Sequence, residues 1–93
     1  MKIYYKSEKH GIFCSDETVR CITGTDAGLV IVFDSSVDSQ LVQFTIPMSI
    51  EDARKVIGMI PYAFKKAADA IGGAASEGCI LFIDIDEIYS WID

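Results

Sequence analysis

The sequence predicts an α+β domain in which a two-layer, mainly antiparallel sheet of five to six strands packs one face against a single long helix. Three observations carry this prediction. Short apolar segments separated by polar turns fill the first half of the chain, an amphipathic segment with helical period spans 49–71, and a strongly apolar segment follows at 79–83. The predicted order of elements is therefore β-β-β-β-β-α-β.

The segment 49–71 is predicted to be the helix because its apolar residues recur with a helical period. The members of this apolar stripe are Ile50, Ala53, Ile57, Ile60, Phe64, Ala67 and Ile71. At about 100° per residue they share one narrow face, which is typical of a helix packed on a sheet. Ser49 is suited to the N-cap position, and Gly72 and Gly73 are suited to the end of the helix.

Pro61 lies in the middle of this helix and has no amide hydrogen to donate to the preceding turn. We expect one of two outcomes at this position: a kink in a continuous helix, or a split into two helices with Pro61 in the first turn of the second. The apolar stripe continues without a change of phase across Pro61, which favours the kink.

Five strands are predicted before the helix, at 2–6, 11–15, 18–23, 29–33 and 40–46. The segments 29–33 and 79–83 have no polar alternation, which is typical of strands buried on both faces. Since one helix covers only one face of a sheet, the other face needs the C-terminal tail, strong curvature or a second subunit. For the tail, we expect a strand through Ile85 and then a short helix or an irregular docked segment.

Length and composition indicate one domain, residues 1–93, with a surplus of apolar surface. Hydrophobic residues make up 51% of the chain, while a domain of this size leaves a large share of its surface exposed. We therefore expect a homodimer, in which a second subunit covers part of that surface. No segment is long enough to cross a membrane, and the N-terminus lacks a signal-peptide pattern, so a cytoplasmic location is expected.

The chain is acidic, and its charge is unevenly distributed. Fourteen Asp and Glu residues and eight Lys and Arg residues give a net charge of −6. Residues 1–10 carry three lysines and one glutamate, a net charge of +2, which leaves −8 for the other residues (−6 − 2). An acidic body argues against direct binding of nucleic acid. It is compatible with a basic protein partner, and small acidic orphan proteins of this kind are expected from phages and mobile elements.

No residue pattern predicts a catalytic site, a metal site or a cofactor. The three cysteines form no CxxC pair and no cluster with the one histidine, His10, so we expect reduced, structural thiols at Cys14, Cys21 and Cys79. The densest acidic cluster lacks the ligand spacing of a calcium loop, so a solvated strand end is expected at Asp84, Asp86 and Glu87. The chain is therefore predicted not to be an enzyme.

Large apolar-bodied side chains outside the helix stripe are the candidates for partner contacts. Met59 and Tyr62 lie off the stripe at positions where charge is usual, and Trp91 is of a residue type enriched at tight interfaces. A second candidate is an aromatic patch beside Lys2 and Lys6, which would form if the two chain ends meet. Its members would be Tyr4, Tyr5, Phe13, Tyr89 and Trp91.

The function that these observations predict is that of a small, acidic, non-enzymatic protein-binding module that forms a homo-oligomer. Two alternatives stay open. One is an acidic inhibitor of a nucleic-acid-processing enzyme or toxin, anti-CRISPR-like or immunity-like, whose binding to a basic cleft would weaken with salt. The other is a protein that holds a small apolar ligand against its uncovered sheet face, which salt would not weaken.

Overall fold

A computed structural model describes residues 2–35, 37–38, 40–71 and 78–92, and within these ranges the chain forms six strands and two helices. The strands are β1 (Lys2–Ser7), β2 (Ile12–Ser15), β3 (Val19–Thr25), β4 (Gly28–Asp34), β5 (Leu41–Pro47) and β6 (Ile80–Asp84). The helices are α1 (Ile50–Ile71) and α2 (Ile85–Ser90). The α+β class and the predicted order are confirmed, and the tail takes the helical one of its two expected forms.

The strands form two sheets of three strands each, which corrects the prediction of one sheet with five to six strands. The first sheet has the order β2-β1-β6 and the second has the order β3-β4-β5. β1 pairs with β2 antiparallel and with β6 parallel, and the second sheet is an antiparallel meander. The long α1 crossover is what allows β6 to lie parallel to β1.

The chain leaves the first sheet at the turn 16–18. The Tyr5 hydroxyl donates to Asp16 Oδ1 at 2.7 Å, and the Asp16 amide donates to the Ile3 carbonyl at 2.8 Å. These bonds fix the turn against β1, so β3 starts a new sheet instead of pairing with β2. This is the physical reason why a short link between two strands does not produce the expected single meander.

The helix α1 is continuous from Ile50 to Ile71 and contains Pro61, so the split into two helices does not occur. The predicted cap is confirmed, because Ser49 Oγ accepts a hydrogen bond from the Asp52 amide at 3.1 Å. The predicted end at 72–73 lies outside the described residues.

The buried face of α1 is rotated from the predicted stripe toward one side. Ala53, Val56 and Ala63 are its buried residues, whereas Ile57 and Ile60 of the stripe are only partly buried. The rotation arises because α1 contacts both sheets and α2. On the side of β3 the approach is close: a Cβ atom on Gly24 would lie 3.1 Å from that of Ala53.

One apolar core joins both sheets and both helices. From α2, Ile85 and Ile88 are fully buried in it. Burial of side chains of this size contributes about 1.5–3 kcal/mol each, so α2 is an integral part of the fold. The C-terminal tail was one of three expected ways to cover the second face of the sheet. In the structure, the tail packs Ile85 and Ile88 into the core between the sheets and α1.

The two segments that were predicted to be buried on both faces differ. In β4, residues 29–31 are buried, as predicted for 29–33, while Val32 and Phe33 are only partly buried. In β6, Leu81 and Ile83 are buried, but Ile80 and Phe82 are 50% and 46% exposed, so the prediction is wrong for this strand. None of the described helices is long and apolar enough to cross a membrane.

Candidate functional site: an exposed aromatic face

Three aromatic rings contact one another on the outer side of the first sheet. Alternation along the strands places the side chains of Tyr4, Phe13 and Phe82 on this side, while their neighbours Tyr5 and Ile83 are buried. The ring centroids of Tyr4 and Phe13 are 4.9 Å apart and stacked. The Phe82 centroid lies 6.1 Å from that of Tyr4 and 6.0 Å from that of Phe13.

Together with Ile80, on the same side of β6, these rings form what we call the aromatic face: Tyr4, Phe13, Ile80 and Phe82. Phe13 is 60% exposed, Ile80 50% and Phe82 46%. Single exposed apolar residues are common on folded proteins, but contiguous apolar patches are not, and they mark surfaces that other molecules cover. The contact between the rings is therefore more informative than the exposure of any one of them.

Three charged residues share the outer side of the first sheet with the aromatic face: Lys2, Lys6 and Asp84. Lys6 Nζ lies 5.4 Å from the Phe82 ring centroid, a cation–π contact. Lys6 and Asp84 occupy paired positions on β1 and β6. Two lysines and one aspartate give this side a net charge of +1, which leaves −7 for the rest of the chain (−6 − 1).

The predicted aromatic patch is confirmed in part. The chain ends meet, because β1 and β6 are paired, and the patch includes Tyr4 and Phe13. Tyr5 is instead buried, and Tyr89 belongs to α2. Sequence analysis did not include Phe82, because the uniform apolar character of 79–83 indicated burial on both faces. The missing signal is the position of β6 at the edge of a sheet.

The three residues predicted to contact a partner lie in two kinds of environment. Tyr62 is 58% exposed, and its ring meets that of Trp91 edge-on, with centroids 5.7 Å apart. Lys66 Nζ lies 4.8 Å from the Trp91 centroid. Met59 is partly buried and packs against the core, as Trp91 also does. The structure thus brings Tyr62 and Trp91 together, and a role of these residues in binding a partner stays a prediction.

A groove between α1, β6 and α2 connects the Tyr62–Trp91 pair to the aromatic face. Its volume is about 160 Å³. Phe82 and Trp91 both line it, together with Ala63, Ala67 and Ala70 of α1. Since Phe82 belongs both to the groove and to the aromatic face, the two surfaces are continuous.

The predicted acidic cluster has a structural role at the start of α2. Asp84 Oδ1 accepts hydrogen bonds from the amides of Asp86 and Glu87, at 3.0 and 3.3 Å, which is the geometry of an N-cap. Glu87 Oε1 lies 3.4 Å from Lys66 Nζ. Each carboxylate therefore has its own local partner, and the solvated strand end expected from the sequence is only partly correct.

Ser7, His10 and Asp86 form a network that sequence analysis did not predict. Ser7 is fully buried, and its hydroxyl donates to Asp86 Oδ1 at 2.6 Å. His10 Nδ1 lies 3.0 Å from Ser7 Oγ. Since the one hydroxyl proton of Ser7 goes to Asp86, His10 Nδ1 must donate to Ser7 Oγ. In a Ser-His-Asp catalytic triad the serine donates to the histidine, so the order here is reversed and Ser7 is not placed as a nucleophile.

Asp86 also joins α2 to the turn between β1 and β2. Its Oδ2 accepts a hydrogen bond from the Lys9 amide at 3.1 Å, and its Oδ1 lies 3.8 Å from His10 Nδ1. Burial raises the pKa of Asp86, but the hydrogen bonds from Ser7 and the Lys9 amide, with the charges of His10 and Lys9, outweigh it and lower the pKa overall. The fold therefore favours the ionised form of Asp86.

The cysteines and acids do not assemble a further site in the described part of the chain. No group of three or more His, Cys, Asp and Glu side chains there is arranged to hold a metal ion. Cys14 is buried, and burial raises the pKa of its thiol, which keeps it protonated and unreactive. Cys21 is exposed on β3.

No protein-family model matches the chain, and no curated protein and no solved structure is significantly similar to it.

Proposed function

We propose that the chain is a non-enzymatic protein-binding module that forms a homodimer through the aromatic face. The observation that supports this most is that Phe13 and Phe82 contact each other and Tyr4 while 60% and 46% exposed. Removal of apolar surface from water contributes about 25 cal/mol per Å². A partner that covers these rings therefore gains more here than at isolated apolar residues.

The distribution of charge favours a second copy as that partner. The outer side of the first sheet carries +1, and the rest of the chain carries −7 (−6 − 1). Two copies repel each other wherever their acidic surfaces approach, and this repulsion is weakest where their aromatic faces meet. The aromatic face does not complement a strongly acidic or strongly basic partner, because the charges of Lys6 and Asp84, at paired positions, offset each other.

The geometry of the sheet also suits its own copy. Sheets pack face to face at about 10 Å, with interdigitated side chains from strands of equal spacing. Lys2 and Lys6 lie at opposite ends of the outer side of β1, and Asp84 lies beside Lys6. A two-fold axis that crosses the strands places Lys2 of each copy opposite the partner's Lys6 and Asp84, whose charges offset each other, whereas an axis along the strands and through β1 places each lysine opposite itself. We therefore propose the first arrangement.

The size of the face limits the affinity of such a dimer. Three strands and about five residues along each cover roughly 14 by 17 Å, or about 240 Å² in projection. A standard interface buries about 800 Å² on each partner. We therefore include the groove between Phe82 and Trp91 in the proposed interface, and we expect dissociation in the micromolar range.

Light scattering over a range of concentrations tests the proposal. We expect the mass to rise from that of the 10.2 kDa chain toward twice that value, and to keep rising at high salt because apolar contacts are not screened. Phe13→Ser should remove the dimer. The matched control is Val37→Ser, since Val37 is a 91% exposed apolar residue outside the aromatic face, and it should leave the mass unchanged. A wild-type chain that stays monomeric at millimolar concentration contradicts the proposal.

A further inference from the structure

A second cavity lies between the β1–β2 turn, the end of β5 and α2, and it shares no lining residue with the aromatic face. Its volume is about 280 Å³. One side is apolar and includes the buried residues Ile46 and Ile85, and the other includes Lys9, His10 and Tyr89. A concave apolar floor with a few polar groups at one side is the usual composition of a site for a small molecule.

The hydrogen-bond network fixes the chemical character of His10 in this cavity. Its Nδ1 is committed to Ser7 Oγ at 3.0 Å, and Ser7 is in turn held by Asp86. The second nitrogen, Nε2, is therefore the one available to a ligand, as it is in sites where a carboxylate fixes the orientation of an imidazole. Ser7 is 0% exposed, so this orientation is set from inside the fold and not by solvent.

We propose that this cavity binds a small carboxylate anion with an apolar body. The carboxylate accepts hydrogen bonds from protonated His10 Nε2 and from the Lys9 ammonium, and the apolar body lies against Pro47 and Met48, the accessible apolar residues of the lining. Asp86 orients the imidazole through Ser7. Both oxygens of Asp86 are already hydrogen-bonded, Oδ1 to Ser7 and Oδ2 to the Lys9 amide, which reduces its repulsion of an incoming anion.

The charges of the other groups around His10 are compatible with a ligand that carries one negative charge. From α2, the titratable groups that line the cavity are Asp86 and Tyr89, and the Tyr89 hydroxyl lies 3.4 Å from Asp52 Oδ2. From β5 and the residue after it, the lining is Ile46, Pro47 and Met48, none of which carries a charge. Among the lining residues, with His10 protonated, Lys9 and His10 outweigh Asp86 by one positive charge, and Asp52 lies behind Tyr89, outside the lining.

The volume limits the ligand to a short chain or a single small ring. Sites for drug-sized ligands usually enclose about 300–1,000 Å³, and this cavity lies just below that range. A ligand of so few atoms gains limited binding free energy, so we expect a dissociation constant of about 1 mM.

Titration of the full chain with sodium hexanoate, followed by the amide signals in NMR spectra, tests the proposal. We expect saturable shifts at the ends of β5 and in α2 at about pH 5.5, and at least tenfold weaker binding at about pH 8.5, where an imidazole is neutral. Hexanol has the same chain without the charge and should bind at least tenfold more weakly than hexanoate at the lower pH.

Two variants separate the role of the network from a general loss of structure. Lys9→Gln keeps the backbone amide that Asp86 uses and should weaken hexanoate binding severalfold, whereas Lys55→Gln on the exposed side of α1 should not. His10→Gln should remove the pH dependence while the spectrum stays dispersed. The proposal is overturned if hexanoate gives no saturable shifts, if hexanol binds equally well, or if both His10→Gln and Lys9→Gln bind hexanoate as the wild type does.

Discussion

The strands β4 and β6 have almost the same apolar character, yet one is covered and the other is open. The outer side of β4 carries Val30, which lies between Thr23 of β3 and Thr45 of β5 and is only 4% exposed. The outer side of β6 carries Phe82, which is 46% exposed because β6 is an edge strand with one neighbour. The comparison shows that position in the sheet decides burial when sequence patterns are equal.

The difference also locates the surplus of apolar residues. In the second sheet, Val30 of β4 lies between two threonines, while Val32 lies between Cys21 and Gln43 and is partly buried. In the first sheet, the strands carry large rings that stand clear of the surface. The expected surplus is therefore concentrated on the aromatic face, and the following substitutions test this division.

The largest difference in stability is expected between substitutions on the buried side and on the exposed side of β6. Leu81→Ala should lower the free energy of unfolding by about 2–5 kcal/mol, because Leu81 is 2% exposed and leaves a cavity. Phe82→Ala removes a larger side chain but should cost only about 1 kcal/mol, because half of that side chain is already in water. Urea denaturation, at protein concentrations too low for the proposed dimer to form, measures both free energies. Equal losses would show that the outer side of β6 is covered within one chain.

A smaller effect is expected from the same comparison between β4 and β6. Val30→Ala deletes two buried methyl groups and should cost about 1–2 kcal/mol, while Ile80→Ala, at a 50% exposed position, should cost about 0.5 kcal/mol or less. Both variants remove aliphatic atoms on the outer side of a sheet, so each is the control for the other. If Ile80→Ala proves the more costly, the outer side of β4 is not the better covered one.

An effect similar in size to that of Val30→Ala is expected from the hydrogen bonds that hold α2 beside the first sheet. Asp86→Asn should cost about 1–2 kcal/mol near neutral pH, because Ser7 and the Lys9 amide lose an ionised acceptor. Folding lowers the pKa of Asp86, so its contribution is complete above about pH 4 and is lost as the pH falls through that lowered pKa.

Thermal unfolding of the wild type and of Asp86→Asn between about pH 7 and pH 3 follows this loss, since the difference between them should shrink in acid. The control is Asp69→Asn, at an exposed position of α1, for which we expect no difference at any pH. A gap that stays constant down to the lowest pH would mean that the charge of Asp86 does not stabilise the fold.

Local sequence patterns predicted the elements of this fold better than their arrangement. The cap at Ser49, the helix to Ile71 and the change from strand to helix near Ile85 follow from neighbouring residues, and the structure confirms them. The parallel pairing of β1 with β6 joins residues at opposite ends of the chain, so no local pattern encodes it. The single sheet was predicted because short links usually join paired strands, and the turn at Asp16 is an exception.

The same limit applies to the candidate sites. Tyr4 and Phe13 could be proposed from their positions near Lys2 and Lys6, but Phe82 required knowledge of which strand is at an edge. Ser7 and Asp86 are 79 residues apart in the chain, and the function of His10 depends on both. A buried serine at the end of a strand gives no sequence signal of its own.

The pairing of β1 with β6 also sets the order in which the chain acquires its structure during synthesis. The second sheet and α1 are contiguous in sequence and depend on short-range contacts, so they are able to form while later residues are still being added. The first sheet waits for residues 80–84, which the ribosome supplies last among the strands. Since Phe82 arrives with them, the aromatic face is completed only after the second sheet and α1 have been synthesised. A nascent chain therefore lacks the finished surface for premature association with its neighbours on a polysome.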